Sequence, residues 1–299
     1  MNSFPTLPRT FTENPIMPSQ ALPLPVGPAP DPVDRAFEPL LDEPFASAWA
    51  ADPPNGHGSS GALRGRLLDR LAASQAASGA MFTARLKRLA AHAPAPGLLA
   101  RTLYAAPGDR ALRPGEPLRT MLIELQPGAR WDGPAVGNHR EWLVLRGSAH
   151  IGGKALRLRD YHVAPAGAAS GPVRSDAGAL LFLRESLQVA GPTDSVFTVH
   201  DKDAGWPYYA PGIRRRILWQ RDGQAAMLYC AQPGASVPMH THGHDEECLM
   251  VQGELFLDDL LLRQGDYQLA PAGTGHRVTE TDTGVVIYAH GDLDLKFVA

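Results

Sequence analysis

"HTHGHDEECLMVQG", residues 240–253, packs three histidines, an aspartate and two glutamates into its first eight positions and then turns apolar. Residues two apart on a strand face the same way, so His240 and His242 project together. Glu246 opens the next strand, where alternation puts it on the face of Cys248 and Met250. Further on, "GDYQLAPAGTGH", residues 265–276, delivers His276 after a Pro-Gly turn. Three imidazoles and one carboxylate make a borderline donor set, suited to Fe, Mn, Co, Ni, Cu or Zn rather than Ca or Mg.

The chain around this stretch is written twice. "QPGA" at 126–129 returns at 232–235, and "DYHVAPAGAAS" at 160–170 returns as "DYQLAPAGTGH" at 266–276, both offset by 106. Upstream, "FTAR" (82–85) and "PGLLARTLY" (96–104) return as "FTVH" (197–200) and "PGIRRRILW" (211–219) at an offset of 115. Two homologous domains follow, 82–190 and 197–299. Each reads as short strands such as "MLYCA", "ECLMVQ" and "GVVIYAH", bounded by Gly, Pro and Asp, with no helix-length period. "FLDDLLL" and "HIGGKAL" place Asp-Asp and Gly-Gly where tight hairpins need them. The expected fold is all-β, a sandwich or barrel in each copy.

The second copy has Gly234, five residues, His240, one residue, His242, three residues, Glu246, six residues and Gly253; then Gly265, five residues, Pro271, one residue, Gly273, two residues and His276. This two-part pattern resembles the cupin superfamily, which implies two tandem jelly-roll β-barrels. The resemblance implies one divalent transition metal ion (Fe, Zn, Mn, Ni or Co) on His240, His242, Glu246 and His276. Glu280 stands where the cupin pattern usually has asparagine. His244 and Asp245 fall in the connecting turn and Glu247 on the opposite face. All three are expected in solvent or on an outer hydrogen bond rather than on the metal. Cys248 and Met250 read as interior filling.

Copying the ligands back by 106 gives Pro134, Val136, Arg140 and Ser170. The first domain has lost the set, and His139, Glu141 and His162 fall on none of the ligand positions. Arg140 is expected in a partly exposed ion pair. "HDEECLMVQGEL", the APAG turn and "FTVHDKDAGWPYYAPGIRRRILW" further resemble the cupin domains of ChrR-type anti-sigma factors. In those proteins a zinc-binding N-terminal domain with paired cysteines grips the sigma factor. Here no cysteine precedes Cys230.

Residues 1–60 are crowded with proline and show no sustained period, so a disordered arm is expected there. Segment 61–81 reads as an amphipathic linker helix with Leu63, Leu67 and Leu71 on one stripe. A formal charge of −3 offers no footprint for nucleic acid. No stretch is apolar enough to be a signal peptide or membrane span, and the two cysteines fit a reducing compartment, so the cytoplasm is the expected location. A homodimer is compatible with the pattern. Two classes of function follow. The resemblance to cupin dioxygenases implies a mononuclear metal-dependent enzyme of that type acting on a small molecule, with Glu246 doubling as a base. The other is a ChrR-like regulatory module that contacts a protein through the helix.

Overall fold

The computed structural model describes residues 64–66, 68, 69, 72, 79–133 and 137–298. Residues 64–66, 68, 69, 72, 79 and 80 are helical, whereas the arm 1–60 and the stripe Leu63, Leu67 and Leu71 lie outside the described residues. Among the described residues, no helix is long and apolar enough to cross a membrane.

From Phe82 onward the chain is mostly antiparallel strand. One sheet runs Phe197–Val199, Tyr161–Ala164, His139–Ile151, Ala179–Ser186, Pro117–Leu125, Leu98–Ala105. Its counterpart runs Phe82–Ala84, Tyr267–Ala270, Glu246–Leu257, Val285–Asp292, Gln224–Ala231, Ile213–Arg221, Tyr208–Ala210. Short strands complete each barrel. The registers repeat the sequence offset: Arg140 faces Ala164 where Glu246 faces Ala270, and Glu141 faces Arg184 where Glu247 faces His290.

The entry strands are exchanged. Phe82–Ala84, which opens the first copy, pairs with Tyr267–Ala270 of the second, and Phe197–Val199, which opens the second copy, pairs with Tyr161–Ala164 of the first. Each barrel is therefore completed by backbone hydrogen bonds from the other repeat. The motif glycine of each copy is also explained. Gly147 and Gly253 sit at φ 71° and 77°, and a Cβ on either would meet a carbonyl oxygen, that of Gly178 or Gly284, at 2.2 Å. In the hairpins Gly152, Gly153 and Asp258 take left-handed conformations at φ 55°, 80° and 53°.

Alternation sorts the apolar side chains into three clusters. Cys248, Met250, Leu255 and Leu257 point into the second barrel with Val285 and Ala289. Trp142, Val144, Ile123 and Leu181 fill the first. Leu249, Val251, Tyr267 and Tyr288 pack between the barrels against Leu122, Leu143, Tyr161 and Phe182. The sheets consequently have no solvated face where they meet, and this overturns the expectation for Glu247. It is 0% exposed, accepts a hydrogen bond from the Tyr267 hydroxyl at 2.7 Å, and pairs with the Arg184 guanidinium. Arg184 also reaches Glu141 at 2.8 Å, and Glu141 accepts from Tyr161 (2.5 Å) and Tyr288 (2.9 Å). Burial pushes the Glu141 carboxyl up, but Arg184, His290, His139 and the Tyr161 hydroxyl outweigh it and hold it at about 2.

Candidate metal centre

The four expected ligands come from three short segments that the fold draws to one mouth of the second barrel. His240–Thr241 pairs with Gly275–His276, which makes His240 and His276 direct cross-strand partners. The backbone N–H of His242 donates to the Thr274 carbonyl, tying the second histidine to the same turn. Glu246 begins the long strand next to Gly291, where a Cβ would lie 3.2 Å from the Glu246 side chain. Glycine at 291 leaves the room that this carboxylate occupies.

One ligand atom from each of His240, His242 and Glu246 lies within 4.8 Å of the others. His276 closes the group, with Nε2 3.8 Å from Glu246 Oε2 and its ring 5.1 Å from His242 and 5.7 Å from His240. All four are buried, Glu246 being the most open at 8%. The His240 Nδ1 donates to the Pro238 carbonyl at 3.0 Å, which leaves Nε2 as the lone pair. The His276 Nδ1 lies 3.4 Å from Asp258 Oδ2, a carboxylate that also accepts from the backbone N–H of Arg277 at 2.7 Å. Buried His242 Nε2 has no hydrogen-bond partner among the described residues.

Burial, then the neighbouring His276, lowers His242 to about 4, and burial lowers His240 as well. Both are neutral at pH 7 and present lone pairs. Burial raises Glu246, opposed by His276 and His240. Three buried imidazoles, one of them with an orphaned nitrogen, converging on one carboxylate fit a transition metal ion. The residues that hold the rings, Pro238 through its carbonyl and Asp258 through its carboxylate, escaped the sequence reading. In the sequence Asp258 reads only as a hairpin residue, and nothing local signals that the hairpin lands beside His276.

The other acidic and imidazole groups are used elsewhere. His244 Nδ1 lies 2.5 Å from Asp292, and Asp245 accepts from Arg110 at 2.6 Å and from the Ala272 N–H at 2.9 Å. Burial pushes the Cys248 thiol well up, so it is no thiolate at neutral pH.

Behind the cluster the second barrel keeps a cavity of about 60 Å³, walled by His240, Glu246 and His276 at one end and by Ile213, Tyr229, Cys248, Leu255 and Ile287 beyond. The first barrel is filled at the matching positions: Trp142 stands for Cys248 and Ile123 for Tyr229, and Trp142 meets Trp131 edge-on at 5.9 Å. At the position of Glu246, Arg140 is 1% exposed, not the partly exposed ion pair expected. Its Nη1 donates to the Ser170 hydroxyl at 2.9 Å and its Nη2 to the Ala168 carbonyl. Arg140 and Ser170, the counterparts of Glu246 and His276, thus touch as a plug. Pro134 and Val136 lie outside the described residues.

Residues 194–294 match a family model described as the ChrR Cupin-like domain. Solved structures with the same fold span both barrels. A candidate dioxygenase of Nostoc punctiforme superposes with a TM-score of 0.56 at 16% identity, covering 73% of this chain and 85% of the other. A candidate glyoxylate-induced protein of Pseudomonas aeruginosa gives 0.58 at 15%, covering 71% and 89%. The oxalate decarboxylase of Lactobacillus farciminis, in a formate complex, gives 0.53 at 14%, covering 72% and 87%.

The fold is that of a bicupin, and its second barrel carries the ChrR cupin-like match. No curated protein matches the sequence at a significant level.

Proposed function

We propose that the second cupin barrel is a mononuclear metal centre that acts on a small molecule, as an oxidoreductase of the dioxygenase type. The observation that carries this reading is the cavity. A purely structural four-ligand site needs none, whereas here an apolar space opens directly onto His240, Glu246 and His276. Fold likeness to a candidate dioxygenase supports the reaction type; as fold likeness it supports no particular substrate.

His240, His242, His276 and Glu246 would hold one divalent ion, Fe, Mn, Ni, Co or Zn. When bound, the ion supplies Lewis acidity and free coordination positions. The chain's own residues do the remainder. Pro238 and Asp258 fix the ring orientations of His240 and His276. The apolar wall keeps bulk water from the reacting end. Glu246, whose proton affinity burial has raised, is the group at which a substrate proton can be received.

The test is oxygen uptake by iron-loaded protein against a panel of β-diketones, hydroxylated aromatics and shorter oxygenated molecules, with activity lost in His276→Ala. No turnover with Fe, Mn, Ni or Co transfers the case to the second reading, a ChrR-like regulatory module, which the family match favours. That module predicts a partner contact abolished by polar residues at Leu67 and Leu71 with metal content unchanged.

A further inference from the structure

If the second barrel holds a divalent ion, as proposed above, that end of its cavity is positive, because three neutral imidazoles and one carboxylate leave part of the ion's charge uncompensated. A second cation stands along the same wall. Arg215, on Ile213–Arg221, is the direct cross-strand partner of Tyr229 on Gln224–Ala231. Tyr229 and Tyr209 line the cavity together with His240, Glu246 and His276. The two tyrosine rings meet edge-on at 5.6 Å, and the Arg215 guanidinium lies over the Tyr209 ring at 4.3 Å. The charges of Arg215 and Glu246 both act on the Tyr229 hydroxyl.

This pair is not spent on holding the fold. Arg184 and Arg216 each sit on a carboxylate at hydrogen-bond distance, 2.8 Å from Glu141 and 2.7 Å from Asp201. Arg215 is only 16% exposed, yet its Nη1 donates to a carbonyl, that of Leu293, at 2.7 Å. The carboxylate it pairs with, Asp294, is 3.8 Å away on a side chain 85% exposed, where pairing contributes little. The Tyr229 hydroxyl has a thioether, Met227 Sδ, at 3.4 Å, a weak acceptor that an oxygen in the cavity would displace.

The first barrel supplies the contrast. The offset of 115 puts Ala100 at the position of Arg215 and the offset of 106 puts Ile123 at that of Tyr229, and Ala100 faces Ile123 as Arg215 faces Tyr229. Both are core residues of the filled barrel. The polar pair thus occurs in the barrel that has the four metal-ligating residues and is apolar in the one that lacks them. A pair that merely joined two strands would not follow the ligands in this way. Size fits a small group: an apolar cavity of about 150 Å³ takes benzene, so 60 Å³ encloses roughly two to three non-hydrogen atoms, about one carboxylate.

We infer that Arg215 and Tyr229 select and orient the ligand of the second barrel, and that this ligand is a small carboxylate. One carboxylate oxygen reaches the metal end at His240, Glu246 and His276, and the other accepts from the Tyr229 hydroxyl. Arg215 offsets the charge that an apolar wall would otherwise exclude.

The experiment uses full-length protein loaded with cobalt(II), whose visible spectrum responds to molecules entering its coordination sphere, titrated with acetate and with its uncharged isostere acetamide. Wild type should bind acetate about ten-fold or more tightly than acetamide. That ratio should fall several-fold in Arg215→Gln and be largely kept in Arg215→Lys, which retains the charge. Tyr229→Phe should weaken acetate by about ten-fold with cobalt content unchanged. Should Arg215→Gln fail to fold, the Tyr229→Phe titration decides alone. No preference for acetate in the wild type, or acetate binding indifferent to both substitutions, overturns the proposal. Protein that takes up no cobalt removes the metal centre and the ligand class together, whereas cobalt uptake with an unchanged ratio removes the ligand class alone.

Discussion

Replacing Arg184 by methionine would remove the single cation between two fully buried carboxylates, Glu141 and Glu247, exposed 1% and 0%. The magnitude follows from the wild-type site. Glu141 is held at about 2 against an ordinary 4.5. A shift of that size corresponds to about 3 kcal/mol of stability at neutral pH, with Arg184 the largest of the groups that supply it. Breaking a buried pair by removing one partner costs about 3–5 kcal/mol, in agreement. At about 2–4 °C per kcal/mol for a unit of this size, the midpoint of thermal unfolding should fall by roughly 10 °C at pH 7. The pH dependence has a definite sign. In the wild type the depressed Glu141 contributes stability that is present above 4.5 and lost as pH falls toward 2. In Arg184→Met only the tyrosine hydroxyls and the neighbouring histidines still oppose burial, so both carboxylates rise, Glu247 from a position that burial already raises in the wild type; their penalty is largest at neutral pH and is relieved on acidification. His290, lowered to about 3 by burial and then by Arg184, gains freedom to take a proton, which acts in the same direction. The gap between variant and wild type should therefore narrow between pH 7 and pH 5 in thermal or urea unfolding. Adding Glu141→Gln and Glu247→Gln to Arg184→Met should restore most of the loss. A cost below about 1 kcal/mol at pH 7, or a gap that widens with acid, would refute the assignment of Arg184 as the shared counter-ion.

Metal analysis of purified protein should give about one ion per chain, falling to none in His240→Ala with His242→Ala while the midpoint of unfolding in chelator stays within a few degrees of wild type; two tightly held ions would contradict the alignment of the repeats. Asp258→Asn should weaken metal affinity by about 10–100-fold without removing a ligand, as read by competition with a chelating dye, because it loosens the His276 ring. Arg140→Glu should create no second site, since Trp142 fills the first barrel and Ser170 replaces the histidine; equilibrium dialysis showing a second equivalent of metal would count against that view. Gly291→Ala should lower metal affinity through Glu246, whose side chain lies 3.2 Å from the added methyl.

What the sequence made legible was local or periodic. His240 and His242 are two apart, Glu246 shares its parity with Cys248 and Met250, and the offset of 106 carries the pairing of His139–Ile151 with Tyr161–Ala164 onto that of Glu246–Leu257 with Tyr267–Ala270. What it concealed depends on where the copies meet. "ECLMVQ" is apolar on both parities, a pattern expected of a strand covered on both faces; weighed that way, Leu249 and Val251 would have placed Glu247 indoors. The exchange of entry strands leaves no such mark, because "FTAR" and "FTVH" have the same pattern whichever barrel they join. The cavity was available by comparison alone, in the pairing of Cys248 with Trp142. The least legible feature is the most consequential for the pair of barrels. Duplication supplies Glu141 with Glu247 and Tyr161 with Tyr267, two equivalent acids each with its tyrosine, but position 184 is arginine while position 290 is histidine. Two guanidiniums brought together there would repel one another in a buried site. One arginine serving both carboxylates, with a neutral His290 on the other side, satisfies the electrostatics only because the two copies are no longer identical, and it fixes each barrel to the other as a specific partner.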